Sequence, residues 1–147
     1  MQTAKALSMA YTAVWRESNA IYESWAKERG LSYYELLVLL SLVEEGDGTT
    51  SRDLCEHWVL PKQTVHSILR NLIQRSWVVM DADGRDRRSK RIQLTEMGRK
   101  RGEEISQALL EREAVVWAAM GESDGRALVE LTDRFNRLFR EAGHVAP

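Results

Sequence analysis

The stretch PKQTVHSILRNLIQRSWVVMDADGRDRRSKRIQLT, which spans Pro61–Thr95, decides the fold. In its first part, apolar residues recur at the spacing of one helical face, at Val65, Ile68, Leu69, Leu72 and Ile73. Further on, the β-rich run 77–80 and the alternating run 91–94 flank the turn sequence Asp83-Gly84. We therefore predict a helix over 61–75, followed by a β-hairpin whose loop is rich in arginine.

The residues upstream predict the rest of a helix-turn-helix. SYYE at 32–35 is a capping box, so an apolar central helix is expected to begin there. Thr49 and Thr50 are expected to cap a short helix over 51–57. A short helix, a tight connection and a longer helix with Pro61 at its first position form a helix-turn-helix. The hairpin that follows is then a wing.

Long helices with apolar stripes are expected at both ends of the chain. The first, from about Thr3 to Arg29, has a largely aromatic stripe of Leu7, Tyr11, Trp15, Ser18, Tyr22 and Trp25. A fifth helix is expected to be capped by Thr95 and a sixth to start at Ser123. The apolar positions of the sixth, which we expect to face inward, are Leu128, Leu131, Phe135, Leu138 and Phe139. Helices with this much apolar surface need a large partner.

Together these elements predict a mostly α fold with a small β-hairpin wing, an α+β winged helix-turn-helix. We expect residues 31–95 to form the DNA-binding domain, for the reasons of charge and chemistry that follow. Residues 1–30 and 96–147 are expected to form a helical dimerisation region, because their apolar stripes come from both ends of the chain.

The charge distribution indicates a nucleic-acid partner although the net charge does not. The whole chain has a formal net charge of −1. Residues 61–91 include eight basic and three acidic side chains, a net charge of +5, so the remainder carries −6. A basic patch on an acidic body can be the electrostatic footprint of a DNA-binding protein. The alternative is a solvated charged surface without a partner.

The polar face of the predicted fourth helix suits the major groove of double-stranded DNA. That face has no acidic residue and presents Lys62, Gln63, Thr64, His66, Ser67 and Arg70. Glutamine can bond adenine and arginine can bond guanine with two hydrogen bonds, so we expect Gln63, Ser67 and Arg70 to read bases. Lys62 and Thr64 are expected to make backbone or mixed contacts, and a backbone contact sets register without reading sequence. The alternative is an ordinary polar helix face.

The loop of the wing suits the minor groove. A narrow minor groove has enhanced negative potential and attracts an inserted arginine, a role we assign to Arg88. Asp86, two residues earlier, can orient that guanidinium through charge-assisted hydrogen bonds. The remaining cations of the loop are expected to meet phosphates, and they are Arg85, Arg87 and Lys90.

The helix PKQTVHSILRNL followed by the hairpin DGRDRRSKRIQLTEMG resembles the MarR family of winged helix-turn-helix regulators. D-x-R at 86–88 and L-T-x-x-G at 94–98 match the wing motif of that family. Ser76 departs from it, because the family usually has glycine before the first wing strand; the fold should not change. The resemblance implies a homodimer with interleaved terminal helices and transcriptional control, often repression relieved by a small aromatic compound or by oxidation.

A small aromatic effector is a further expectation. Four aromatic residues of the first two helices motivate a ligand pocket between the dimerisation layer and the DNA-binding layer, and they are Trp15, Tyr22, Trp25 and Tyr34. The alternative is that these side chains only pack against other helices.

Other functions find little support. Cys55 is expected to be a small buried residue of the helix-turn-helix, and the alternative is a thiol-based redox sensor. Cys55, His57 and His66 lack zinc-ligand spacing, so neither metal nor cofactor is expected, and no catalytic constellation indicates an enzyme. One cysteine, no signal peptide and no long apolar run predict a cytoplasmic protein without a membrane partner. The runner-up function is a winged-helix protein-interaction module without DNA binding.

Overall fold

The structure, a computed structural model, describes residues 2–46, 48–81 and 90–143. Across these residues the elements are α1 Gln2–Lys27, α2 Tyr33–Glu45, α3 Ser51–Trp58, α4 Lys62–Gln74, β1 Val78–Asp81, β2 Arg91–Leu94, α5 Glu96–Met120 and α6 Glu122–Ala142. The two strands form one antiparallel sheet. The predicted fold class, mostly α with a small β-hairpin wing, is confirmed. Over the described part of the chain, no helix combines the length and hydropathy that a membrane span requires.

Side-chain caps start three helices as predicted. At α2, Ser32 Oγ accepts from the Glu35 N–H (3.1 Å) and Glu35 Oε2 accepts from the Ser32 N–H (2.8 Å). Thr50 and Asp53 form the same reciprocal pair at α3, and these hydrogen bonds hold the pKa of the Asp53 carboxyl below its usual value. At α5, Thr95 Oγ1 accepts a backbone N–H of the first turn at 3.0 Å. Each cap pairs a donor that the helix itself cannot pair.

Two predicted helix starts are wrong by one residue. Pro61 has an extended ψ of 144°, so it is the cap of α4, and Lys62 is the first helical residue. Gly121 has a φ of +83°, outside the helical range, and α6 begins directly after it at Glu122 rather than at Ser123. An acidic residue in this first turn is favourable, because the N-terminus of a helix is partially positive.

The main core lies between α2, α3, α4 and the sheet. Its buried members are Val38, Leu42, Leu54, Val65, Ile68, Leu69, Leu72, Val78 and Ile92. Ile73, predicted as part of the α4 stripe, is instead 42% exposed. At ~100° per residue it lies about 90° from the centre of the stripe, and it is on the last turn. Cys55 packs against this core but is only half-buried.

The sheet is attached to the helix-turn-helix on its second edge. Val78 pairs with Leu94 and Met80 with Ile92 in the hairpin register. On the other side of β2, the Ile92 N–H donates to the Thr49 carbonyl oxygen at 2.8 Å, and Thr50 forms a bridge with Arg91. The loop before α3 therefore pairs with β2 as a short third strand would, and this pairing holds β2 beside the helix-turn-helix.

Ser76, where the family usually has glycine, adopts the conformation that favours glycine. Its φ is +59°. Its N–H donates to the Ile73 carbonyl oxygen at 2.9 Å, and its own carbonyl oxygen accepts from Thr95 Oγ1 at 2.6 Å. These two bonds hold serine in the left-handed turn that directly precedes β1.

The chain forms two compact units, residues 1–106 and 107–147. In unit 1, the C-terminal end of α1 buries Trp25 and Ala26, whereas Leu7 and Trp15 nearer its start are 66% and 58% exposed. In unit 2, the α6 stripe that was predicted to face inward is exposed in the single chain, from 44% at Phe135 to 73% at Phe139. That prediction is wrong because α6 does not bury its apolar side against its own chain. Apolar surface of this extent marks an interaction face.

The turn between α3 and α4 needs a left-handed residue, and the chain has valine there. Val59 has φ 53° and ψ 44°, and its N–H closes α3 on the Cys55 carbonyl oxygen. This conformation costs an L-residue roughly 1–2 kcal/mol, and it is unusual for a β-branched side chain. The Val59 side chain is 87% exposed, so burial offsets little of this strain.

Val59→Gly is therefore expected to raise the free energy of unfolding by about 0.5–1 kcal/mol. Glycine adopts positive φ without strain, and part of this gain is lost to the larger entropy of the unfolded chain. Urea denaturation at one fixed protein concentration measures the change. Val79→Gly, at an exposed position of β1, is the matched control and should lower stability by about the same amount. A Val59→Gly protein less stable than its parent would contradict the strained turn.

Candidate nucleic-acid interface

The side chains predicted to meet the major groove lie along one outward side of α4. Lys62, Gln63, His66, Ser67 and Arg70 are exposed, and Thr64 is half-buried; α4 contains no acidic residue. The apolar stripe on the opposite side anchors the helix in the core, which turns these positions to solvent. Among the described residues, none of the six side chains has a hydrogen-bond or ion-pair partner. The face is thus free to bind an external polar surface.

The start of α4 is open to an anion. Pro61 makes no side-chain cap, and its carbonyl oxygen accepts only from the N–H groups of Thr64 (3.0 Å) and Val65 (3.2 Å) among the described residues. The preceding N–H groups, of Lys62 and Gln63, therefore point out of the helix end without an acceptor in the described chain. A helix N-terminus with unpaired N–H groups and an adjacent cation suits a phosphate.

The base of the hairpin, at Trp77 and Thr95, is formed by close contact between the start of α5 and the residue before β1. The Thr95 N–H donates to the Trp77 carbonyl oxygen at 3.0 Å. Gly98 approaches so closely that a Cβ on it would stand 1.9 Å from the same oxygen. Of the predicted wing contacts, Lys90 is exposed directly before β2. The other four, Arg85, Asp86, Arg87 and Arg88, lie outside the described residues.

The contact between Asn71 and Glu35 is one that sequence reasoning missed. Asn71 Nδ2 donates to Glu35 Oε1 at 2.9 Å, and this bond links the flank of α4 to the first turn of α2. Arg75 Nη2, one helical turn further, donates to the Gly30 carbonyl oxygen at 2.7 Å. The two partners lie 36 and 45 positions away in the chain, and no periodicity in the sequence indicates such contacts.

The four aromatic residues proposed for an effector do not share one environment. Trp25 is 3% exposed and covered by the Arg29 guanidinium at 3.5 Å, so it is a core residue. Tyr22 and Tyr34 both neighbour Tyr33; the ring centroid of Tyr33 lies 6.3 Å from that of Tyr22 and 5.8 Å from that of Tyr34. Burial raises the pKa of Tyr33, and Tyr34 makes a smaller contribution in the same direction. Trp15 is ten residues before Trp25 on α1, which is about 15 Å along the helix. Only the tyrosines form a cluster.

The remaining candidates for chemistry stay apart. In the described part of the chain, no three histidine, cysteine or carboxylate side chains converge as metal ligands. His57 Nδ1 lies 4.0 Å from Glu45 Oε1, while His66 belongs to the outward face of α4. Unit 2 has a separate open groove of about 430 Å³ between α5 and α6, lined by Trp117, Gly121, Glu122, Gly125, Arg126, Val129 and Glu130.

Comparison with known proteins agrees with this architecture. A profile described as MarR family matches residues 29–89, and no curated protein sequence shows a significant match. NMB1585, a MarR family regulator from Neisseria meningitidis, has 23% identity and a TM-score of 0.76, with 97% of this chain and 96% of that chain covered.

Two further solved structures differ in what they bind. Staphylococcus aureus MarR in complex with salicylate and kanamycin has 15% identity and a TM-score of 0.75, with 95% of this chain and 94% of that chain covered. Reduced AbfR bound to DNA has 27% identity and a TM-score of 0.69, with 95% of both chains covered.

A short helix, a left-handed turn, an outward-facing helix and an antiparallel hairpin define a winged helix-turn-helix protein. The profile match over 29–89 adds the family, and the full-length structural matches extend the same fold over the flanking helices. The chain carries a MarR-family winged helix-turn-helix domain, and the resemblance inferred from its sequence is confirmed.

Proposed function

We propose that the protein is a transcriptional regulator, expected to act as a repressor, that binds a pseudo-palindromic operator as a homodimer. The observation that carries this proposal is the outward side of α4, which is exposed, free of acid and without polar partners in the described chain. Polar groups of this kind are what base edges and phosphates require. The structure of AbfR bound to DNA, at 27% identity, supports the same use of this fold.

The homodimer is proposed from the apolar surface that the single chain leaves exposed. The first half of α1 and the stripe of α6 present large apolar side chains to solvent, and we assign residues 1–30 and 96–147 to dimerisation. One recognition helix makes too few contacts for the ~10⁻⁸–10⁻¹¹ M affinity of a specific regulator. Two copies related by a two-fold axis would read half-sites about one helical turn apart.

Within each copy the contacts divide by chemistry. Gln63, Ser67 and Arg70 would read base edges, since glutamine and arginine can form paired hydrogen bonds to adenine and guanine. Lys62 and Thr64 would hold a phosphate at the uncapped start of α4. The roles of Arg88 in the minor groove, supported by Asp86, and of the other loop cations on phosphates remain predictions from the sequence.

A small aromatic acid is the proposed signal that releases the DNA. Support comes from the cluster of Tyr22, Tyr33 and Tyr34 beside the α1–α2 turn, and from the salicylate bound to Staphylococcus aureus MarR. Such coupling between two sites typically changes affinity about 5–150-fold. Adding salicylate to the DNA-binding assay below tests this part separately, because an unaffected operator affinity removes salicylate as the effector and leaves the DNA-binding proposal intact.

Selection from a library of random duplexes tests the proposed function. The full chain should enrich a pseudo-palindrome, protect two half-sites about 10–10.5 base pairs apart in a footprint, and bind with an affinity that falls steeply as salt rises. If no sequence is enriched and binding to any duplex is absent at low salt, the protein-interaction module is the better description.

A further inference from the structure

We propose that Glu35, Asn71 and Arg75 form a polar clamp that sets the rotation of α4 about its own axis. By this means the clamp directs the side chains of α4 toward the bases. The inference rests on the proposed function, and it assigns positioning roles to three residues that need not touch DNA. Glu35 belongs to α2, and its contact with Ser32 is the capping box at the start of that helix.

The carboxylate of Glu35 has two separate partners. Glu35 is 6% exposed, and burying a carboxylate costs free energy unless its oxygens accept hydrogen bonds. Oε2 accepts from the Ser32 N–H at 2.8 Å, and Oε1 accepts from Asn71 Nδ2 at 2.9 Å. The capping box therefore uses one oxygen, and the second oxygen is left for α4. Asn71 is exposed and could point to solvent, so its pairing with Glu35 is a specific contact.

Arg75 provides a second attachment on the same flank. Its Nη2 donates to the Gly30 carbonyl oxygen at 2.7 Å, and its guanidinium lies 5.3 Å from the Trp77 ring centroid. Arg75 follows Asn71 by four residues, so the two side chains are neighbours one turn apart, about 5–6 Å between Cβ atoms. Both of their polar partners, Gly30 and Glu35, belong to the turn between α1 and α2 or to the first turn of α2.

The place of this flank on α4 explains why it would control rotation. At ~100° per residue, Asn71 and Arg75 lie about 40° and 80° from Ser67, between the base-reading side and the core stripe. Apolar packing holds the distance of a helix from its neighbours, but it is non-directional. Side-chain ends about 6 Å from the axis move roughly 2 Å when the helix turns by about 20°. A hydrogen bond does not survive such a displacement, so two directional bonds limit the rotation.

The test compares affinity for the selected operator with affinity for a random duplex. The ratio separates positioning from stability, because a loss of folded protein lowers both affinities equally. Asn71→Asp sets two carboxylates against each other and should lower the ratio about tenfold, as misaligned base contacts in each half-site would. Arg75→Gln removes the second attachment and should lower the ratio in the same direction. Glu44→Gln, at an exposed position of α2 outside the proposed contacts, is the control and should leave the ratio unchanged.

The combination of Asn71→Asp with Glu35→Gln is the decisive variant. The amide introduced at position 35 can still accept from the Ser32 N–H through its oxygen. Its nitrogen can donate to the carboxylate introduced at position 71. The hydrogen bond is thereby restored with donor and acceptor exchanged, and the ratio should return to within about threefold of the parent. A ratio that Asn71→Asp and Arg75→Gln leave unchanged overturns the clamp, and so does a folded double variant whose ratio stays as low as that of Asn71→Asp. If the parent protein selects no operator at all, the proposed function fails first, and that outcome is seen before any variant is made.

Discussion

Gly98→Ala is expected to lower the free energy of unfolding by roughly 3 kcal/mol, a large share of the ~5–15 kcal/mol that holds a domain together. The added Cβ would stand 1.9 Å from the carbonyl oxygen, 2.6 Å from the carbonyl carbon and 2.8 Å from the Cα of Trp77. All three are backbone atoms, which cannot rotate away. The start of α5 must therefore move, and this motion weakens the 3.0 Å bond from the Thr95 N–H to the same oxygen. Alanine is a better helix former by about 1 kcal/mol, which offsets only part of the loss.

Two other glycines give matched controls for this prediction. A Cβ on Gly102 of the same helix would meet Val43 Cγ2 at 2.6 Å and Leu39 Cδ1 at 3.3 Å, which are ends of side chains that can shift. Gly125 of α6 faces the Trp117 ring at 3.4 Å, an ordinary contact. We expect a smaller loss for Gly102→Ala than for Gly98→Ala, and a neutral or slightly stabilising change for Gly125→Ala. Urea unfolding at one protein concentration measures all three, and equal stabilities for Gly98→Ala and Gly125→Ala would contradict the close contact.

Arg70→Ala is expected to weaken binding to the selected operator by a factor of roughly 30 to 10⁴. A base contact by arginine is worth about 1–3 kcal/mol, and a homodimer loses two of them. Because the Arg70 side chain is exposed and has no partner in the described chain, its removal should leave the stability of the protein nearly unchanged. Fluorescence anisotropy with the operator and with a variant at each base pair measures the loss, and specificity should relax at the contacted position.

Lys62→Ala and Arg126→Ala are the controls for Arg70→Ala. Each removes one positive charge, so the three variants have the same net charge. Lys62→Ala should weaken operator and random duplex alike and lower the salt slope by about 2 units for two copies. Arg126 is paired with Glu122 at 2.7 Å on α6, and Arg126→Ala should have little effect on the affinity for either duplex. If Arg70→Ala behaves as Lys62→Ala does, with equal losses on both duplexes, Arg70 contacts phosphate and does not read a base.

Much of the fold could be predicted from the sequence because its signals are local. The caps at Ser32, Thr50 and Thr95 pair atoms three residues apart, so a pattern of four consecutive residues is enough to predict them. The apolar spacing of α4 predicts which side enters the core and, by difference, which side faces solvent. Only Ile73, at the edge of that stripe, was assigned to the wrong side.

The local signals did not reveal what lies against each face. An exposed α6 stripe and a buried one have the same periodicity, and only the structure shows that the α6 stripe is uncovered in the single chain. Likewise, four aromatic residues of the first two helices suggest a ligand pocket, but the structure buries Trp25 and leaves Trp15 outside the tyrosine cluster. The partner of a face depends on the docking of whole elements, which spacing along one helix cannot report.

The sequence by itself determined the helices, the hairpin and the acid-free side of α4, because helix and strand periodicity and end caps act over a few residues. The tertiary structure decided which distant residues meet: Asn71 on Glu35, Arg75 on Gly30, and Gly98 against Trp77. These contacts join residues 21 to 45 positions apart. They form only once the apolar faces have packed, so the sequence determines which side chains α4 carries and the packed fold determines which of them face solvent.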